Sequence, residues 1–289
     1  MQLERYLRER RTLVERALRR YVPAGRERLR DAMRYSLLAG GKRIRPILAL
    51  AAGDVAGAPP RLVLPFACAL EMIHTYSLVH DDLPAMDDDD LRRGRPTSHK
   101  AYGEGLAILV GDALLTDAFQ VMARAPGVPA ERACRAIAEV AAAAGSPGMV
   151  GGQALDLAAT GGTATLPAVR RIHARKTGAL LAVSVRTGAI VGGARPALLR
   201  RLDAYGRQLG LAFQIADDIL DASEAPDADG RTDVELGKAT YPALLGMDGA
   251  RRHARGARDA ALAAVASLGA VAEPLRAIVS HVVARADAS

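Results

Sequence analysis

The chain has 289 residues, half of them hydrophobic, and a formal net charge of +7. Aromatic residues make up 3% and tryptophan is absent, which argues against a nucleic-acid surface built on base stacking. Cys68 and Cys134, the only cysteines, have no short spacing and make neither a zinc site nor a disulfide framework.

Both cysteines sit in apolar helical surroundings, where a thiol is a small core residue, and a reducing, cytoplasmic setting is expected. The positive charge alone leaves nucleic acid open as a partner. The arginines, however, are scattered along helices rather than gathered in a tail, and anionic small substrates fit the charge equally well. The first ten residues are charged and amphipathic, without an apolar signal core. No run approaches about 18 apolar residues without a charge, so no membrane insertion is expected.

Residues 2–20 read as a surface helix that buries Leu3, Tyr6, Leu7, Leu13, Val14 and Leu18. A second helix runs over about 27–38 and stops at Gly40-Gly41. Lys42, Arg43 and Arg45 follow, with Pro46 well suited to a first helical turn. A glycine turn leading basic residues into a helix N-terminus is either a diphosphate cradle or solvated surface. The P-loop pattern is missing.

The next predicted helix, 61–82, places His74, Ser77 and Asp81 on one face. His74 is either a core histidine or a phosphate contact. Tyr76 lies roughly 140° round the helix from Asp81, so spacing alone reads it as core packing. Pro84 must end or kink this helix near Asp82 or Leu83. Asp81 then closes the last turn and Asp87 follows a break that lets the two face one point. Six aspartates and then Arg92, Arg93 and Arg95 lie between His80 and Pro96. Carboxylates this close repel unless a hard cation such as Mg²⁺ joins them to phosphate oxygens; the alternative is a solvated acidic loop neutralised by its own arginines.

Residues 104–123 and 129–144 read as helices, interrupted after that by Gly145, Pro147 and Gly148. Gln153 and Asp156 then share a face if helical. A long helix over about 166–191 carries Lys176-Thr177-Gly178, where Gly178 weakens it and a kink would bring backbone to a ligand. Pro196 opens a helix ending in Asp217, Asp218 and Asp221. Asp217 and Asp221 are i and i+4, on one face that calls for a cation. Residues 222–235 are polar and read as a lid; alanine-rich helix over 249–286 closes the bundle. No segment alternates like a strand, and there is no repeat or long linker. The expectation is a single all-α domain, residues 1–289, around a deep central cavity.

These motifs resemble those of the trans-isoprenyl diphosphate synthases. Asp81-Asp82 with Asp87, Arg92 and Arg93 resembles that family's first aspartate-rich motif in its bacterial form, and Asp217-Asp218-Ile-Leu-Asp221 resembles the second. Gly40-Gly41-Lys42 with Arg45-Pro46, Gly151-Gly152-Gln153 with Asp156, and Lys176-Thr177-Gly178 fall where the family has them. The likeness spans about Arg34 to Leu245 and is closest to the bacterial farnesyl type.

The resemblance implies the isoprenoid synthase fold and a head-to-tail condensation of isopentenyl diphosphate with an allylic diphosphate, dimethylallyl or geranyl. It implies Mg²⁺, three ions with diphosphate bound, on Asp81, Asp87 and Asp217. Lys42, Arg45, His74 and Arg93 would hold isopentenyl diphosphate. Arg92, Lys176 and Lys238 would stabilise the leaving diphosphate, and Thr177 and Gln214 would aim oxygen dipoles at the allylic cation. Tyr76, five residues before the first motif, fills the position of the farnesyl-length wall, so a C15 product is expected, with a geranylgeranyl producer as the alternative. A homodimer is implied as well. One departure is that residues 222–235 contain no lysine where the family has a Gly-Lys pair. Other readings are an inactive regulatory subunit, whose mark would be loss of an aspartate cluster, and a nucleic-acid binder, whose affinity would fall steeply with salt. A terpene cyclase would not require the second diphosphate site.

Overall fold

Apolar helices with few interior charges must bury themselves on one another, and two of them do so almost completely. α3 (Ile44–Val55) is buried from Arg45 to Gly53, and α4 (Pro60–Asp81) buries Phe66, Leu70, Met72 and Ile73 in the same core. The structure, a computed structural model, describes residues 2–159, 165–223 and 240–287. Lys238 and nearly all of the expected lid lie outside these residues.

Around α3 and α4 stand α1 (Leu3–Tyr21), α2 (Arg28–Leu37), α5 (Ser98–Tyr102), α6 (Glu104–Ala123) and α7 (Ala130–Ala144). α8 (Met149–Ala159), α9 (Leu166–His173), α10 (Ala179–Val191), α11 (Pro196–Ser223), α12 (Tyr241–Val265) and α13 (Glu273–Asp287) complete the bundle. α10 packs on α3, α4 and α11, and α11 on α12 and α13. Gly188 of α10 lies directly against the Ala49 carbonyl of α3, where any side chain would overlap backbone. Tyr205 of α11 donates from its hydroxyl to the Leu275 carbonyl at 2.6 Å, joining α13 to the core. Each fully buried leucine or isoleucine here contributes about 1.5–3 kcal/mol.

The all-α expectation holds, with local corrections. A minimal hairpin, β1 (Leu91–Arg92) with β2 (Arg95–Pro96), turns through Arg93 and Gly94, both at positive φ. Positive φ at both central residues suits the tight two-residue turn that matches strand twist. Two-residue strands are too short to leave an alternating pattern. The last segment is not one helix: Gly269, at φ 69, breaks it into α12 and α13, and Gly246, at φ 70, kinks α12 near its start, so that its longer part begins just beyond Gly246, close to the expected 249. Cys68 is buried as expected, but Cys134 is exposed, because the narrow apolar stripe of α7 turns Ala136, Val140 and Ala144 inward instead. α4 and α6 are each long and apolar enough by length and composition to cross a membrane, but Glu71 interrupts α4 and Asp112 and Asp117 interrupt α6, so neither is the uncharged run of about 18 residues that the sequence reading looked for. For α4, 78% of the apolar window is inside the protein, so its length is that of a core helix.

Candidate active site

The acidic break after α4 forms as the proline requires. α4 ends at Asp81, and the Asp87 amide folds back to donate to the Asp81 carbonyl at 2.8 Å. That turn brings the Asp87 carboxylate near enough for its charge to act on Asp81. Burial first, then Asp87 and Asp82, push the Asp81 carboxyl up to about 6, against Lys176 and Arg92. At the end of α11, burial and then Asp221 push Asp217 up to about 6, against Lys42, Arg285 and Arg45. Carboxylates desolvated and crowded in this way are suited to a hard cation with oxygen ligands, and a cation would reverse the shift. Asp81, Asp87 and Asp217 therefore fit Mg²⁺ by donor chemistry.

The neighbouring aspartates do something else. Asp82 is buried and accepts from Nε of Arg92 at 2.8 Å and from an Arg92 terminal nitrogen. Asp218 is buried and accepts from the Tyr241 amide at 2.9 Å. In each Asp-Asp pair the first residue faces charges of the site and the second anchors the fold. Arg92, expected on the leaving diphosphate, is held between Asp82 and Asp89, the latter at 2.8 Å.

The glycine turn is built around a buried cation. Arg43 is 2% exposed at φ 52; it donates to Glu71 Oε1 at 2.7 Å and to the Leu37 carbonyl at 2.8 Å. This pins the turn to α4 and α2, with Lys42 exposed on one side and Arg45 buried on the other. Arg93 donates to the Gly40 carbonyl, and a Cβ on Gly41 would lie 2.7 Å from its Cζ. Arg45 Nε is buried without a partner, and burial brings its pKa down to about 10. An orphaned buried guanidinium nitrogen is a donor prepared for an anion. Burial, then Arg45, Arg93, Arg43 and Arg92, holds His74 neutral, well below the usual histidine range.

The expected kink near Gly178 is a π turn. Ala174–Gly178 winds as a π-helix between α9 and α10, a wide turn that recurs at functional sites. Two glycines make room for it. A Cβ on Gly152 would overlap the Lys176 backbone, and one on Gly210 would lie 2.9 Å from Gly178 Cα. Lys176 Nζ pairs with Asp156 Oδ2 at 2.6 Å.

A cavity of about 410 Å³ collects these parts: Arg45, His74, Asp81, Lys176, Thr177 and Gln153 line it, the last with a buried, unpartnered Oε1. Its apolar walls include Tyr76, Met86, Met149 and Leu157. Tyr76 thus reaches the same cavity as Asp81, which helical spacing did not suggest; burial raises its hydroxyl to about 12. Gln214 is half-buried on α11, one turn before Asp217 and Asp218. Two residues were not singled out by sequence. Arg285, on α13, acts electrostatically on both Lys42 and Asp217, yet a basic residue in a last helical turn looks like ordinary dipole pairing. Glu71 is hidden by its distance from Arg43 in the chain.

Comparison with known proteins agrees with this geometry. The polyprenyl synthetase family profile matches residues 26–272. A farnesyl diphosphate synthase of Geobacillus stearothermophilus is 50% identical over 258 residues, 87% of each chain. A geranylgeranyl diphosphate synthase of Cyanophora paradoxa is 49% identical over 249 residues, 84% of this chain and 83% of that one. The crystal structure of an FPP/GFPP synthase from Zymomonas mobilis superposes with a TM-score of 0.89 at 39% identity, covering 97% of this chain and 98% of the other. The fold is the isoprenoid synthase fold, and the chain belongs to the polyprenyl synthetase family, the trans-isoprenyl diphosphate synthases that its motifs resemble.

Proposed function

We propose that the protein is a prenyltransferase that condenses isopentenyl diphosphate head to tail with dimethylallyl or geranyl diphosphate, giving farnesyl diphosphate. The observation that carries this reading is the cavity in which Asp81, Lys176 and Thr177 meet Arg45 and His74 above an apolar wall containing Tyr76. A site for one anion would not need both groups of cations. Farnesyl diphosphate synthase and dimethylallyltranstransferase relatives support the same reaction.

Lys42, Arg45, Arg93 and neutral His74 hold the diphosphate of isopentenyl diphosphate. Mg²⁺, the family's ion, would sit on Asp81, Asp87 and Asp217, where it supplies Lewis-acid stabilisation of the departing diphosphate; three ions are proposed. The allylic carbon–oxygen bond breaks, and Arg92, Lys176 and Lys238 stabilise charge growing on the leaving group. Lys176 leaves Asp156 to do so. Thr177 and Gln214 turn oxygen dipoles toward the allylic cation. The double bond of isopentenyl diphosphate then forms the new carbon–carbon bond, and the released diphosphate takes the proton. Walls that exclude water keep the cation from being quenched.

Each added CH₂ contributes about 0.8 kcal/mol when buried, so termination at C15 requires Tyr76 as a barrier. A homodimer is proposed through α6, whose Ile108 and Leu109 are 45% and 53% exposed, with a cytoplasmic location. The test is a product assay with Mg²⁺, labelled isopentenyl diphosphate and dimethylallyl diphosphate. A C15 alcohol after dephosphorylation, absent in Asp81→Ala, is expected. No product from any allylic primer would overturn the reading, and a C20 product would reject Tyr76 as the wall.

A further inference from the structure

We propose that Asp88, Asp90 and His99 form a second cation site, apart from the carboxylates of the cavity, and that it takes a divalent transition metal of the zinc type. One ligand atom from each of the three lies within 4.8 Å of the others. The two aspartates come from the loop leading into β1, and His99 from the first turn of α5. The Thr97 amide, donating to the Asp90 carbonyl at 3.0 Å, closes the hairpin between them.

The independent sign of a ligand is the imidazole. His99 is 6% exposed, and its Nε2 is buried with no hydrogen-bond partner. A buried polar nitrogen left unmatched is costly, and native structures satisfy nearly all of them. Its other nitrogen, Nδ1, is 3.0 Å from the Thr97 hydroxyl. That bond fixes the ring and, with the proton on Nδ1, leaves the Nε2 lone pair unmatched; in the proposed site Nε2 is the ligand atom, with Thr97 as its outer partner.

The donor set selects the ion. Mg²⁺ takes oxygen ligands and retains water, whereas imidazole with carboxylates suits zinc and its neighbours. Bond lengths of about 2.0–2.2 Å require the three groups to close slightly. Asp88 and Asp90 are exposed, and their side chains have room to turn. Lys100 Nζ, 2.7 Å from Asp90 Oδ1, occupies part of the site and competes with the ion. A bound ion would fasten the loop that follows Asp87 to α5, and with it the hairpin carrying Arg92 and Arg93.

The test needs no substrate. Metal-stripped full-length protein is given Zn²⁺ in excess Mg²⁺, passed through a desalting column and analysed for zinc. Wild type is expected to retain one equivalent, and so is an Asp81→Asn, Asp217→Asn double variant. His99→Gln and Asp88→Asn each lose it; the exposed Asp88 serves if the buried histidine variant does not fold. Lys100→Gln binds more tightly. The proposal is overturned if wild type retains no zinc, if His99→Gln and Asp88→Asn retain as much as wild type, or if the double variant loses its zinc.

Discussion

The imidazole of His80 occupies the space that a side chain at residue 111 would fill. Gly111 of α6 passes so close that any Cβ would overlap the ring, and His80 Nε2 lies 3.0 Å from the Ile108 carbonyl. The same ring meets Tyr76 edge-on at 5.8 Å. Tyr76 is therefore flanked by a histidine that α6 holds in place, and both rings line the cavity. His80→Ala should let the Tyr76 ring move and shift part of the product from C15 to C20. Gly111→Ala should displace His80, with the same shift and a stability loss of about 1–3 kcal/mol from overpacking. Chromatography of the dephosphorylated products checks both, and unchanged C15 in both variants would remove His80 from the account.

The two Asp-Asp pairs predict opposite stability effects within each pair. Without metal, Asp81→Asn and Asp217→Asn relieve buried charge repulsion and should raise Tm while abolishing turnover. Asp82→Ala strands Arg92, and Asp218→Ala strands the Tyr241 amide, each costing about 1–3 kcal/mol. Thermal melts in chelator measure all four. A fall in Tm for all four would mean that Asp81 and Asp217 are also structural anchors.

The basic turn should fail through its buried support. Glu71→Gln leaves the buried Arg43 charge with only the more distant Glu15, 3.6 Å from its Nε. We expect a higher KM for isopentenyl diphosphate with the KM for the allylic substrate little changed, because Arg43 sits between Lys42 and Arg45. Equal changes in both would show a general loss of fold instead.

The share of stability carried by two buried histidines should fall in mild acid, against the opposite trend from Asp81 and Asp217, which take up protons in the folded protein near pH 6. Burial, opposed by Asp156 and reinforced by Lys176, lowers His173 to about 4, and His74 is lowered well below 6.5. Once unfolded, both regain ordinary pKa values near 6.5 and bind protons that the native state refuses. Their contribution is thus fully present above about pH 6.5 and is lost as pH falls from there toward 4. His173→Gln should flatten Tm against pH in that window, and an unchanged slope would assign the loss to other groups.

What sequence could reveal here depended on distance along the chain. The Pro84 break predicted the Asp81–Asp87 turn because all its determinants lie within seven residues. The i, i+4 spacing of Asp217 and Asp221 was equally local, and Gly178 marked the weak point of its helix. Arg43 with Glu71, Arg92 with Asp82, and Asp218 with Tyr241 were not legible, since each pairs residues 10 or more apart through packing. Arg92, read as a phosphate ligand, is held by Asp82 and Asp89, a contact that composition and motif do not carry. Tyr76 was placed by resemblance alone, because its path to the cavity depends on how α8 and the π turn close over α4.

The wide turn at Ala174–Gly178 amounts to one residue too many for a regular helix. Removing one residue there would restore a continuous α-helix with better local hydrogen bonding, but everything beyond the deletion would rotate by about 100° relative to α9. Lys176 and Thr177 could not both keep their aim, and Gly152 and Gly210 would face an emptier neighbour. The chain thus retains a locally inferior winding because the phase between α9 and α10 positions the site. A shortened variant is expected to be helical, folded and inert.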